Sequence, residues 1–94
     1  MNAWEYEDKF FETAKKMGFN IEICQAGKFK VERQIAFENK KLHAGHIRKL
    51  YGIVKEKGPE ISYGDLEKVA PGRPCAVPYF NIINKKIFSN KNII

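Results

Sequence analysis

The chain is expected to fold as one small α+β domain, and three observations carry that expectation. At 94 residues it has room for a single core. Its composition is 44% hydrophobic, with seven Phe, four Tyr and one Trp, which suits a packed chain rather than a disordered one. Its apolar residues recur with a period near 3.6 in some segments and near 2 in others, so helices and strands share the chain. Residues 1–94 are read as one domain, with 89–94 as a frayed tail.

Asn2 followed by Glu5 is a capping-box pattern, and Trp4, Phe10, Phe11, Ala14 and Met17 recur at helical spacing. A helix over 3–17 follows, stopped by Gly18 as the residue free to take positive φ. From Phe19 the period becomes two. Phe19, Ile21 and Ile23 alternate with polar neighbours, the segment 25–28 reads as a turn, and Phe29, Val31, Ile35 and Phe37 resume the alternation. This predicts a β-hairpin with one buried face, on which Arg33 is the charged intruder.

The polar run Glu38-Asn39-Lys40-Lys41 reads as a connector. Ile47, Leu50, Tyr51 and Val54 then fall at i, i+3, i+4 and i+7, giving a helix of about 44–57 that Gly58-Pro59 ends. Ser62 with Asp65 caps a short helix from Tyr63 to Ala70, closed by Pro71-Gly72. The last quarter is ambiguous between two strands around an Asn84-Lys85-Lys86 turn and a helix beginning at Pro78. Its Ile, Phe and Tyr content and short span favour strands. The expected order is α-β-β-α-α-β-β. A tight helix pair followed by a β-ribbon is a winged-helix-like outline.

The net charge of +6 is unevenly spread. Residues 1–25 hold three Lys against five acids, or −2, while residues 26–94 hold fourteen Lys and Arg against six acids, or +8. Such a dipolar surface draws polyanions to one side, and the expected partner is DNA or structured RNA. Arg48 and Lys49 would anchor the first helix of the pair to phosphates, Lys40 and Lys41 its approach, Arg73 the central turn, and Lys85 and Lys86 the wing. Lysines far outnumber arginines here, so bidentate base reading is not expected.

Several shorter patterns bear on the same question. Residues 48–70, from Arg48-Lys49-Leu50-Tyr51-Gly52 through Gly58-Pro59-Glu60-Ile61-Ser62-Tyr63-Gly64-Asp65, resemble the opening of the winged-helix domain of alkylguanine-DNA alkyltransferases. The resemblance covers about a quarter of the chain and bears on fold. That family's Pro-Cys-His-Arg run is missing, Arg73-Pro74-Cys75-Ala76 does not replace it, and no alkyl transfer is implied. His43-Ala44-Gly45-His46 at a helix start resembles the His-x-Gly-His pattern of class I synthetases and nucleotidyltransferases, but the glycine-rich strand end of a Rossmann sheet does not precede it. Gly72-Arg73-Pro74 resembles the core of an AT-hook, without its preceding Arg.

Cys24, His43, His46 and Cys75 are all the cysteines and histidines of the chain, and together they have the right chemistry for tetrahedral zinc. No Cys-x-x-Cys knuckle supports such a site, so no metal and no cofactor is expected. No Ser/His/Asp set, phosphate loop or carboxylate pair stands out, and no enzyme is expected. Two cysteines are too few for a disulfide framework, and neither a signal peptide nor an apolar run of ~18–20 residues appears, so a cytoplasmic location without a membrane partner is expected. The rival reading is a small interaction protein, such as a mobile-element or viral inhibitor docking onto a nucleic-acid enzyme, with Trp4 and Tyr6 on its contact face. The hairpin edges leave a homodimer open.

Overall fold

A computed structural model describes residues 1–25, 27–28 and 31–89. The order is α1 (Ala3–Lys16), β1 (Ile21–Gln25), β2 (Val31–Phe37), β3 (Lys40–His43), α2 (Ala44–Lys57), α3 (Tyr63–Val69) and α4 (Ala76–Ser89). It is a compact α+β domain with four helices and a three-stranded antiparallel sheet, in the order β1-β2-β3. Among the described residues no helix is long and apolar enough to cross a membrane. Phe29, Lys30 and the tail from Asn90, Lys91 included, lie outside the described residues.

The caps read from sequence are the caps that form. The Asn2 side chain accepts from the Glu5 amide while Glu5 accepts from the Asn2 amide, both at 2.9 Å, so two donors at the start of α1 are satisfied reciprocally. Ser62 and Asp65 make the same box before α3. Gly18 and Gly58 stand at φ 100° and 109°, where a side chain would strain the backbone that ends α1 and α2.

Two expectations fail, each for a physical reason. Lys40 and Lys41 are not a connector but open a third strand, paired so that Phe37 faces Lys40 and Ile35 faces Leu42. The two-residue turn Glu38-Asn39 carries no glycine; Glu38 itself takes φ 59°, so the usual turn signal is missing. Residues 76–89 are one helix, not a ribbon. Pro78 lies in the first turn, where its missing N–H breaks no intrahelical bond, and Phe80, Ile83, Asn84 and Ile87 form a buried stripe at i, i+3, i+4 and i+7. The wing of the winged-helix-like outline is therefore not there, and Lys85 and Lys86 lie on a helix instead of in a turn.

The core gathers Tyr6, Phe10, Phe11 and Ala14 of α1, Ile35 and Phe37 of β2, Leu42 of β3, and the apolar stripes of α2, α3 and α4. Rings dominate it: Phe10 lies 5.2 Å from Phe80, and Tyr6 stacks on Tyr51 at 4.6 Å. Asn84, fully buried, accepts from the Tyr6 hydroxyl and donates to the Pro59 carbonyl at 2.7 Å. Asn81 exchanges two bonds with the Ile61 backbone. These two amides of α4 clamp the loop between α2 and α3, and Asn81 satisfies both backbone groups of the buried Ile61.

Candidate nucleic-acid interface

The strand β3 runs directly into α2, and at this corner cations outnumber the acids near them. Lys40 and Lys41 are exposed on β3, His43 is the cap residue of α2, and His46 and Lys49 stand on its first two turns. Arg73 comes in from the loop after α3. Its Nε donates to the Lys41 carbonyl at 2.5 Å and its Nη1 to the Pro71 carbonyl at 2.8 Å. That double anchorage lays the guanidinium along the outer edge of β3, close to residues far from it in sequence.

His46 reports the field at this corner. Burial, reinforced by the charges of Arg73, His43 and Lys49, holds its imidazole below the ordinary value of 6.5, against the weaker pull of Glu32. Its Nδ1 accepts from the His43 amide at 3.1 Å, which places the proton of the neutral ring on Nε2. His43 in turn meets Cys24 across the sheet, with Nδ1 3.7 Å from Sγ. Lys41 is partly answered by Glu22 at 3.3 Å, whereas Lys40 and Lys49 have no ion-pair partner among the described residues.

The other expected contacts are dispersed or occupied. Arg48 was expected to face phosphates. It is instead held by Glu7 at 2.5 Å and Glu32 at 3.1 Å, with its guanidinium over the Trp4 ring at 5.2 Å. Glu7, largely buried, also binds Arg33 at 2.9 Å, and Arg33 reaches Asp8 at 2.8 Å. A chain of alternating charge thus joins α1, β2 and α2, and its arginines are neutralised where they stand. Lys85 pairs with Glu60 at 3.0 Å, and Lys86 is exposed on α4, away from any ribbon. Of the two residues expected on a protein-contact face, Trp4 is 69% exposed, but Tyr6 is fully buried against Tyr51 and Asn84 and presents nothing to a partner.

The four thiol and imidazole residues are not brought together. Cys24 meets His43, but Cys75 donates to the Phe37 carbonyl at 3.4 Å. Among the described residues no group of three or more His, Cys, Asp or Glu could hold a metal. His43 and His46 were not among the residues expected on the nucleic-acid face; the signal that could have found them was their position at the start of a helix preceded by two lysines. No protein-family model matches the chain, and neither a curated protein nor a solved structure matches it.

Proposed function

We propose that this protein binds nucleic acid, double-stranded DNA first, through phosphate contacts made by the β3–α2 corner. The observation that carries the reading is the approach of Arg73 and Lys49 to His46, whose imidazole is held below its ordinary value first by burial and then by the charges of Arg73, His43 and Lys49, with Lys40 and Lys41 exposed on the strand that leads into this corner. A phosphate entering the corner would meet lysine ammonium groups, the free edge of Arg73 and the Nε2–H of His46. These are contacts that position a backbone and read no base. The reading is of a binding protein with no reaction of its own, and it needs neither wing nor recognition helix.

The test is fluorescence anisotropy with short duplex DNA over a salt series. Several neutralised phosphates give a slope of log K against log salt of several units, near 0.9 for each phosphate. Lys40→Glu with Lys49→Glu should weaken binding at least about tenfold and flatten that slope by roughly two units. Wild-type binding no tighter than ~100 μM at low salt would end the proposal, because ordinary non-specific binding is already stronger. The exposure of Trp4 favours a second reading, a small interaction protein docking onto a protein partner; Trp4→Ala would then cost affinity for that partner and leave DNA binding alone.

A further inference from the structure

The two edges of the sheet are treated differently. On β3 the side chain of Arg73 occupies the outer edge by bonding the Lys41 carbonyl. On β1 nothing among the described residues hydrogen-bonds the outer backbone edge. The direction of each backbone group follows from the register. A two-residue turn makes Phe37–Lys40 a hydrogen-bonded pair, so Ile35 also faces β3, and Gln34 and Glu32 face β1. Their partners Glu22 and Cys24 bond inward, which leaves the N–H and C=O groups of Ile21, Ile23 and Gln25 pointing away from the sheet.

Glu22 is the one charge on that edge, and the other usual protections are missing. Ile21-Glu22-Ile23-Cys24-Gln25 has no Pro and no Lys, the pairing shows no bulge, and Ile23 is 65% exposed in its middle. Beside it a groove of about 470 Å³ runs between α1 and β1, lined by Phe11, Phe19, Ile21 and Ile23 with Glu12 and Lys15 on its rim.

We propose that this edge is covered by a second copy of the chain, β1 pairing antiparallel with its symmetry mate about Ile23 to make a continuous six-stranded sheet. The sequence of β1 is self-complementary in that register. Ile23 meets Ile23 of the copy, Ile21 meets Gln25, and Glu22 meets Cys24, so no like charges oppose each other. The outward backbone groups of Ile21, Ile23 and Gln25 find their partners in the same groups of the copy. The two-fold axis also runs the α1 helices antiparallel. Glu12 and Lys15 line the groove beside β1, so each copy brings one acid and one cation to this side of the contact, which is the charge complementarity an isologous contact requires. The β3–α2 corners stay at the far ends of the sheet, so the pairing does not depend on the nucleic-acid reading.

Sedimentation velocity of the full chain without nucleic acid tests this across a concentration series up to about 100 μM, a range that detects any dimer with a dissociation constant below that concentration. A dimer is expected, and Ile23→Lys should raise its dissociation constant at least tenfold while thermal unfolding of the exposed-site variant shows an intact fold. A chain that stays monomeric throughout overturns the proposal, as does a dimer that Ile23→Lys leaves unchanged. Register is tested in a Cys24→Ser background. Ile23→Cys should form an interchain disulfide on mild oxidation, because directly paired residues have Cα atoms about 5.5 Å apart, within disulfide reach. Gln25→Cys should not, and equal cross-linking of the two variants overturns the register.

Discussion

The arginines on the α1 side of α2 and the cations at its start differ in what they can offer a ligand. Arg33 and Arg48 stand in the series Asp8, Arg33, Glu7, Arg48, Glu32, where every cation lies between two acids within 3.1 Å. At the β3–α2 corner Glu22 answers only Lys41 and Glu32 pulls only weakly on His46, while Lys40 and Lys49 have no ion-pair partner among the described residues. The first group joins three elements of the fold; in the second, like charges lie near one another, and an anion would relieve them. Net charge counts both alike, but a phosphate gains from the second group alone.

The comparison breaks most easily at Glu7, where the largest effect is expected. Glu7→Ala leaves Arg33 with Asp8 and Arg48 with Glu32, but removes two charge-assisted bonds and a largely buried carboxylate that links α1 to both β2 and α2. With the guanidinium groups about a quarter exposed, a loss of about 2 kcal/mol is expected, near the middle of the range for bonds to charged groups. That corresponds to a fall in melting temperature of roughly 10 °C for a domain of this size. Thermal denaturation checks it, and a change below about 0.5 kcal/mol would mean that the charge series only decorates the surface. DNA affinity should fall little, because the corner is untouched.

The corner itself is sharpened by pH. His46 is depressed in the free protein, so the stability it contributes is fully present above pH 6.5 and is lost as pH falls through its lower folded value. A protonated ring also gives up the bond it accepts from the His43 amide. A bound phosphate works the other way: its negative charge offsets Arg73, His43 and Lys49, raises the imidazole, and makes binding take up a proton. Acid should therefore weaken the free fold slightly while tightening the complex, by up to roughly tenfold per unit of displacement in the imidazole value. Anisotropy titrations between pH 7.5 and 5.5 on wild type and His46→Gln measure it. An affinity that falls with acid in wild type would place the phosphate elsewhere.

The fold was legible where local chemistry and periodicity agree. The capping residues Asn2, Glu5, Ser62 and Asp65, the stop at Gly18, and the α2 stripe from Ile47 to Val54 are each decided by neighbours within a turn or two. The C-terminal helix was hidden because composition and period disagree: its Ile, Phe and Tyr content suits a strand, while Phe80, Ile83, Asn84 and Ile87 keep a helical beat. In α1 the flanking acids Glu5 and Glu7 disguised Tyr6, although it stands four residues before Phe10 and eight before Ala14 on the buried stripe. The site was less legible still. Nothing local tells that Glu7 meets Arg48, 41 residues away, or that Arg73 returns to the edge of a strand 32 residues before it.

The smallest effect is expected at Glu38, the residue that builds the corner without belonging to it. It holds φ 59° in the two-residue turn that brings β3 back along β2, and so places Lys40, Lys41 and His43 beside α2. A side chain in the left-handed region costs about 1 kcal/mol that glycine avoids, partly offset by the greater freedom of glycine in the unfolded chain. Glu38→Gly should therefore stabilise the domain by about 0.5 kcal/mol and raise its melting temperature by a few degrees. It also removes the one acid flanking Lys40 in this turn, so DNA binding should tighten slightly, by less than about twofold in moderate salt. Stability and affinity would then rise together, whereas at Glu7 stability falls alone. A Glu38→Gly protein that is less stable would show that the turn relies on a contact of the Glu38 side chain, and the strain assigned to this turn would have to be given up.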